Sequence, residues 1–201
     1  MRFDAILQAD TNQQVVATAA AAEGLGFDGL WAAETNHDPF LQLVLAADHT
    51  ERMQLGTAIA VAFARSPMHM AYIAWDMARY SQGRFILGLG TQIQAHIERR
   101  FAMPWGRPAA RLREYILALR HIWDVWQNGG RLNFRGEFYK LTLMAPFFDP
   151  GPIPHPHVPI YVAGVNQKLC KLAGELADGF HVHPFHTVDY LSARVRPWVA
   201  A

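Results

Sequence analysis

The sequence predicts an α/β fold in which parallel strands alternate with helices in a barrel-type sheet. Three observations predict it. Short β-branched or aromatic runs recur at near-regular spacing, each closed by a glycine, a polar residue or a proline. The segments between them carry helix caps and helical periodicity. Finally, 51% of the 201 residues are hydrophobic and only 17% are charged, which is enough apolar surface for a sizeable core.

The strands are expected to begin near Phe3 (FDAIL), Phe27 (FDGLW), Gln54 (QLGTAIAV), Phe85 (FILGLG), Val158 (VPIYVAG) and Gly179 (GFHVH). The first four starts lie 24, 27 and 31 residues apart. That is the length of a strand, a helix and two loops, so the pairing should be parallel, through right-handed crossovers. The sheet is open or closed on this evidence, and the regular spacing with no dinucleotide fingerprint favours a barrel. Thr11 or Asn12 caps an alanine-rich helix that runs to Glu23 and stops at Gly24. Ser66-Pro67 opens a second helix, to about Tyr80 and ending before Gly83. The clearest helix starts at Pro108 and spaces Leu112, Tyr115, Ile116, Leu119, Ile122, Trp123 and Trp126 by threes and fours until Asn128-Gly129-Gly130.

From 130 to 157 the rhythm breaks. Leu132 to Tyr139 reads as a small hairpin, and Pro146, Pro150, Pro152, Pro154 and Pro156 exclude helix and central strand. An ordered excursion over the barrel mouth is expected there. The whole is one domain, 1–201, of five or six βα units, where a full (β/α)8 barrel has eight. Strands 7 and 8 are therefore expected to be missing at the C-terminus, from a fragment or a natural short form.

Eighteen Lys and Arg against 17 Asp and Glu leave a net charge of +1, too weak a field to draw nucleic acid or an anionic membrane. One cysteine closes no internal disulfide and fits a reducing compartment. Asp4 and Asp10 interrupt the apolar core a signal peptide needs, and no apolar run approaches the roughly 18 residues of a membrane span. A cytoplasmic protein with a small-molecule substrate is expected.

Gly24-Leu25-Gly26-Phe27-Asp28-Gly29 matches G-x-G-x-x-G, but it leaves a helix and enters a strand, the reverse of the dinucleotide motif. Its glycines are expected to cap and pack. Gly88-Leu89-Gly90-Thr91 ends a strand, where a ligand can approach glycine backbone, or where small residues simply let strands pack. Glu34-Thr35-Asn36-His37-Asp38 ends the second strand. Glu34 and His37 are candidates to exchange protons with a ligand, and a helix cap at Asp38-Pro39 is the alternative. His181 and His183 alternate onto one strand face. A zinc site there lacks a third ligand and no H-E-x-x-H occurs, so no metal is expected and the histidines are read as facing substrate. Cys170 reads as a packed thiol. With no G-x-S-x-G elbow and no phosphate-binding P-loop, hydrolase and NTPase readings have no support.

Together GFDGLWAAE, LGTAIAVAFARSP, SQGRFILGLGTQ, FRGEFY, VPIYVAGVN and LADGFHVHPF resemble the luciferase-like monooxygenase superfamily, in particular its deazaflavin (coenzyme F-420) dependent oxidoreductases. The segments occur in the family's order over nearly the whole chain. The resemblance implies a (β/α)8 barrel of TIM type, with the deazaflavin, or alternatively FMN, across the carboxyl ends of the strands. It puts the family's non-prolyl cis peptide on Ala58-Ile59, behind the ring. It sets Gly88, Leu89, Gly90 and Thr91 near the ring and ribityl chain, and Gly164, Val165 and Asn166 at the phosphate. His183 joins Glu34 and His37 as a candidate catalytic residue, with His181 and Phe185 toward substrate. Hydride transfer between deazaflavin and a small organic substrate is the implied reaction. A flavin-dependent monooxygenase and a non-catalytic flavin-binding short form are the alternatives. The chain departs from some relatives in carrying Thr35 and Asn36 between Glu34 and His37, and Gln92 or Ile93 where an acidic residue follows strand 4. Family members commonly dimerise, and an open sheet edge favours at least a homodimer.

Overall fold

The computed structural model describes residues 2–201. Six strands pair in parallel, each with the next in sequence: β1 (Asp4–Leu7), β2 (Gly29–Ala32), β3 (Gln54–Thr57), β4 (Phe85–Gly90), β5 (Ile160–Ala163) and β6 (Gly179–His181). The expected starts hold to within two residues. The sheet curls into a half-barrel with β1 and β6 at its edges.

The helices follow from local chemistry. In α1 (Asn12–Gly24) the Thr11 hydroxyl accepts from the Gln14 amide, while the Gln14 side chain accepts from the Thr11 amide, a reciprocal cap. Asp38 with Pro39 opens α2 (Pro39–Asp48), and Ser66 with Pro67 opens α3 (Pro67–Tyr80). A short α4 (Gln94–Arg99), too brief to show periodicity, precedes α5 (Pro108–Asn128). Asn166 caps α6 (Gln167–Leu176), and a helical run from Val188 to Val199 packs on it. One expectation is corrected in detail. Gly24 lies inside α1, and Gly26, at φ +84°, takes the left-handed turn.

Leu30, Leu55, Leu87, Ile160 and Val162 are fully buried between sheet and helices. The predicted face of α5, from Leu112 to Trp126, is buried, and Trp75 of α3 stacks 6.4 Å from Trp123 and lies 5.8 Å from Trp126. Each such side chain contributes about 2–3 kcal/mol of burial. Among the described residues no helix is long and apolar enough to cross a membrane.

The 130–157 excursion is a correction. A two-residue hairpin, Phe134–Arg135 with Lys140–Leu141, sits against the start of α5, where the Glu114 carboxylate accepts from the amides of Glu137, Phe138 and Tyr139 at 2.9, 2.9 and 2.6 Å. The proline-rich part does not arch over the mouth but runs along the outer side of α3 and α5. There Tyr72 donates to the Phe148 carbonyl, Trp75 Nε1 to Gly151 at 3.1 Å, and Gln127 accepts from the Ile153 amide at 3.0 Å. A segment poor in N–H groups still offers carbonyls, and α3 supplies the donors to them.

Candidate active site

The carboxyl ends of β2, β3 and β4 meet at one backbone bulge. After Thr57 the chain turns through Ala58-Ile59, joined by a cis peptide as the resemblance implied, and Ala60–Val61 then pairs with Leu89–Gly90 of β4. The turn is held from the β2 side. The Ala58 amide donates to the Ala32 carbonyl at 2.8 Å, and the Glu34 amide to the Ile59 carbonyl at 3.1 Å. Glu34 Oε2 accepts from the Val61 amide at 2.7 Å and from Arg65 Nη1 at 2.8 Å, while Arg65 Nη2 donates to Asp38 Oδ2 at 2.7 Å. The Glu34 side chain is 6% exposed and that of Arg65 13%. Burial pulls the Arg65 guanidinium down, but Glu34 first and Asp38 second more than offset it, so it titrates above its ordinary range. Glu34 was expected to face a ligand as a proton exchanger. Its Oε2 is instead spent on backbone and guanidinium.

The β4 glycines are explained by close packing. A methyl on Gly88 would strike the Thr57 carbonyl and lie 2.6 Å from His181 Nε2, and one on Gly90 would lie 2.7 Å from Ile59 Cδ1. The Thr57 hydroxyl donates to the Gly88 carbonyl at 2.7 Å and accepts from its amide at 2.9 Å. Leu89 is buried among the helices, and Thr91 is nearly so at the strand's end.

The inner face of the half-barrel is filled by three rings. Trp31 of β2 lies against Gly56, stacks 5.9 Å from Tyr161 of β5 and meets His181 of β6 edge-on. Trp31 Nε1 donates to Asp4 Oδ2 at 3.0 Å. His181 Nε2 is buried without a hydrogen-bond partner. Burial lowers its pKa below the ordinary value, with the neighbouring Thr57 carbonyl opposing.

The remaining sequence candidates lie apart from the bulge. His37 turns toward β1, with Nε2 3.2 Å from Asp10 Oδ1, beside a cavity of about 400 Å³ lined by Gln8, Asp10, Gln14 and Asn36. His183 is a correction. β6 ends at His181, Pro184 follows three residues later, and the His183 ring folds back to accept from the Phe185 amide at 3.2 Å. The two histidines therefore do not share a strand face. Phe185 is 88% exposed. Among the described residues no three metal-binding side chains converge. Gly164, Val165 and Asn166 form the turn into α6, where Asn166 Oδ1 accepts from the Leu169 amide at 3.1 Å. A cleft of about 590 Å³ opens beside this turn, with Arg107, Arg113, Lys168 and Lys171 in its walls.

Sequence reasoning missed Arg65, Trp31 and Tyr161. Arg65 had a signal, being the one charge in the apolar run before the Ser66-Pro67 cap. The two rings had none, because their contact spans three strands.

The family model for luciferase-like monooxygenase matches residues 2–201. An uncharacterized protein of Mycobacterium tuberculosis is 55% identical over 174 residues, 87% of this chain and 51% of that protein. An F-420-dependent glucose-6-phosphate dehydrogenase of Mycobacterium avium is 32% identical over 183 residues, 84% of this chain and 52% of that one. The solved structure of a riboflavin lyase with modified FMN and riboflavin has a TM-score of 0.84 at 13% identity, over 98% of this chain and 57% of that one. The chain spans about half the length of the curated relatives it matches.

Proposed function

Because this chain belongs to the luciferase-like monooxygenase family, a family of oxidoreductases and monooxygenases, we propose that it carries the ring-binding half of an oxidoreductase that uses a deazaflavin, coenzyme F-420, on a small organic substrate. The observation that carries the reading is the Ala58-Ile59 turn, held against β4 beside a buried imidazole nitrogen that has no partner within the protein. Similarity to a relative named for F-420 dependence supports the choice of cofactor.

The residues fit such a group. Ala58 and Ile59 would back the ring, with Gly88, Leu89, Gly90 and Thr91 forming the adjacent wall. Asn166 caps Leu169, which leaves the amides of Gln167 and Lys168 free at the start of α6, a place for phosphate oxygens beside Gly164 and Val165. When bound, the deazaflavin supplies hydride exchange, which no side chain can perform. His181 would offer a neutral imidazole toward ligand. His37 and His183 are the remaining candidates to move a proton, and Phe185 would cover substrate. Glu34, in this reading, supports the turn instead of exchanging protons. The protein would work in the cytoplasm as at least a homodimer.

Titration with oxidised deazaflavin and separately with FMN, followed by ligand fluorescence, tests the reading. Saturable deazaflavin binding is expected. Tight FMN binding with no deazaflavin response identifies a flavin-dependent monooxygenase. Ligand binding without consumption of reduced cofactor favours a non-catalytic binding protein, and no response to either ligand from the full-length protein ends both cofactor readings.

A further inference from the structure

We propose that Arg65 is a positioning residue for the ring site: by gripping Glu34 and Asp38 together it fixes the carboxylate that holds the Val61 amide, and so sets the backbone from Ala58 to Val61 on which the ring is read to rest. The proposal rests on the deazaflavin reading above, and Arg65 itself need touch no ligand.

The geometry is a chain of four charge-assisted contacts with one outlet. Asp38 caps α2 through the Phe40 amide at 2.9 Å and also accepts from Arg65 Nη2 at 2.7 Å, so the guanidinium is tied to a fixed helix start. Arg65 lies over the Phe40 ring, 5.4 Å from its centroid, which limits its sideways freedom. Its other arm orients Glu34 Oε2 toward the Val61 amide. Glu34 also holds Ile59 through its own amide, so a single residue of the β2 loop grips both sides of the turn. A planar fork can bridge two carboxylates at once, whereas a lysine ammonium on a flexible stem can reach one of them well.

A second carboxylate serves as a built-in control. Glu23, at the end of α1, accepts from the amides of Glu51, Arg52 and Met53 at 2.7 to 3.1 Å, and thereby braces the amino end of β3 as Glu34 braces its carboxyl end. Loss of either brace should lower thermal stability. Loss of the Glu34 brace alone should alter the ring site.

The test compares wild type, Arg65→Met, Arg65→Lys, Glu34→Gln and Glu23→Gln by thermal melting and by titration with deazaflavin and FMN, recording the absorption spectrum of bound ligand. Arg65→Met is expected to weaken binding about tenfold and to shift the bound spectrum. Arg65→Lys should recover part of both effects. Glu23→Gln should lower the melting temperature with affinity and spectrum unchanged. If Arg65→Met does not fold, Glu34→Gln, which keeps an acceptor but loses the charge, carries the same expectation in milder form. Overturning results are an Arg65 or Glu34 variant that behaves like Glu23→Gln, or a lysine variant no better than methionine. Wild type that binds neither ligand defeats the deazaflavin reading itself, and this proposal with it.

Discussion

Trp31 and His181 stand edge to face, with centroids 4.9 Å apart and planes at 89°. They belong to β2 and β6, near opposite edges of the sheet, so this contact fills the half-barrel from within. It also buries an imidazole beside an indole, and thereby makes protonation of His181 costly. The folded protein holds His181 below its ordinary value near 6.5. As pH falls, the unfolded chain takes up the proton first. This stability is therefore intact above about pH 6.5 and is lost progressively below it. Denaturation midpoints measured from pH 8 down to about pH 5 should show the loss, and His181→Gln should flatten that slope. An NMR titration placing the His181 pKa at or above 6.5 would contradict the assignment.

Gly88→Ala should destabilise the protein with no ligand present, by about 1–3 kcal/mol, because the new methyl meets the Thr57 carbonyl and His181. Chemical denaturation of the apo protein measures it. A full-stability variant that loses only cofactor binding would return Gly88 to the ligand-approach reading.

Glu114→Ala removes one carboxylate from three backbone amides of the hairpin. A loss of about 2 kcal/mol is expected, with faster proteolysis confined to residues 130–157. Uniform cleavage along the chain would show that the hairpin does not open as a unit.

His183→Gln should reduce turnover far more than cofactor affinity, since its ring stands in the exposed loop beyond the end of β6. Steady-state kinetics beside a binding isotherm separates the two. Weaker cofactor binding with unchanged turnover of the bound form would move His183 into the cofactor site.

Light scattering at micromolar concentration should report a mass of at least twice 22.6 kDa. The two edge strands and the apolar side chains near them, Phe3, Ile6 and Phe185, are the expected reason. A monodisperse monomer would exclude self-association as the way those edges are covered.

The succession of the six strands and the main helices was legible in the amino-acid order, because caps such as Thr11, Ser66-Pro67 and Asp38-Pro39 act on amides two or three residues away. So was the buried face of α5, which is a matter of period. Family likeness located the Ala58-Ile59 turn. What each polar residue faces came from packing alone. Glu34 looked available for proton transfer until Val61 and Arg65 were seen to occupy it. His183 left the strand because an edge strand stops as soon as its partner does. The proline-rich excursion follows the donors Tyr72 and Trp75 and the acceptor Gln127, far away along the chain. Local hydrogen bonds and periodicity are encoded within a few residues, while the partner of a buried charge or ring is supplied by whichever distant strand the packing brings beside it.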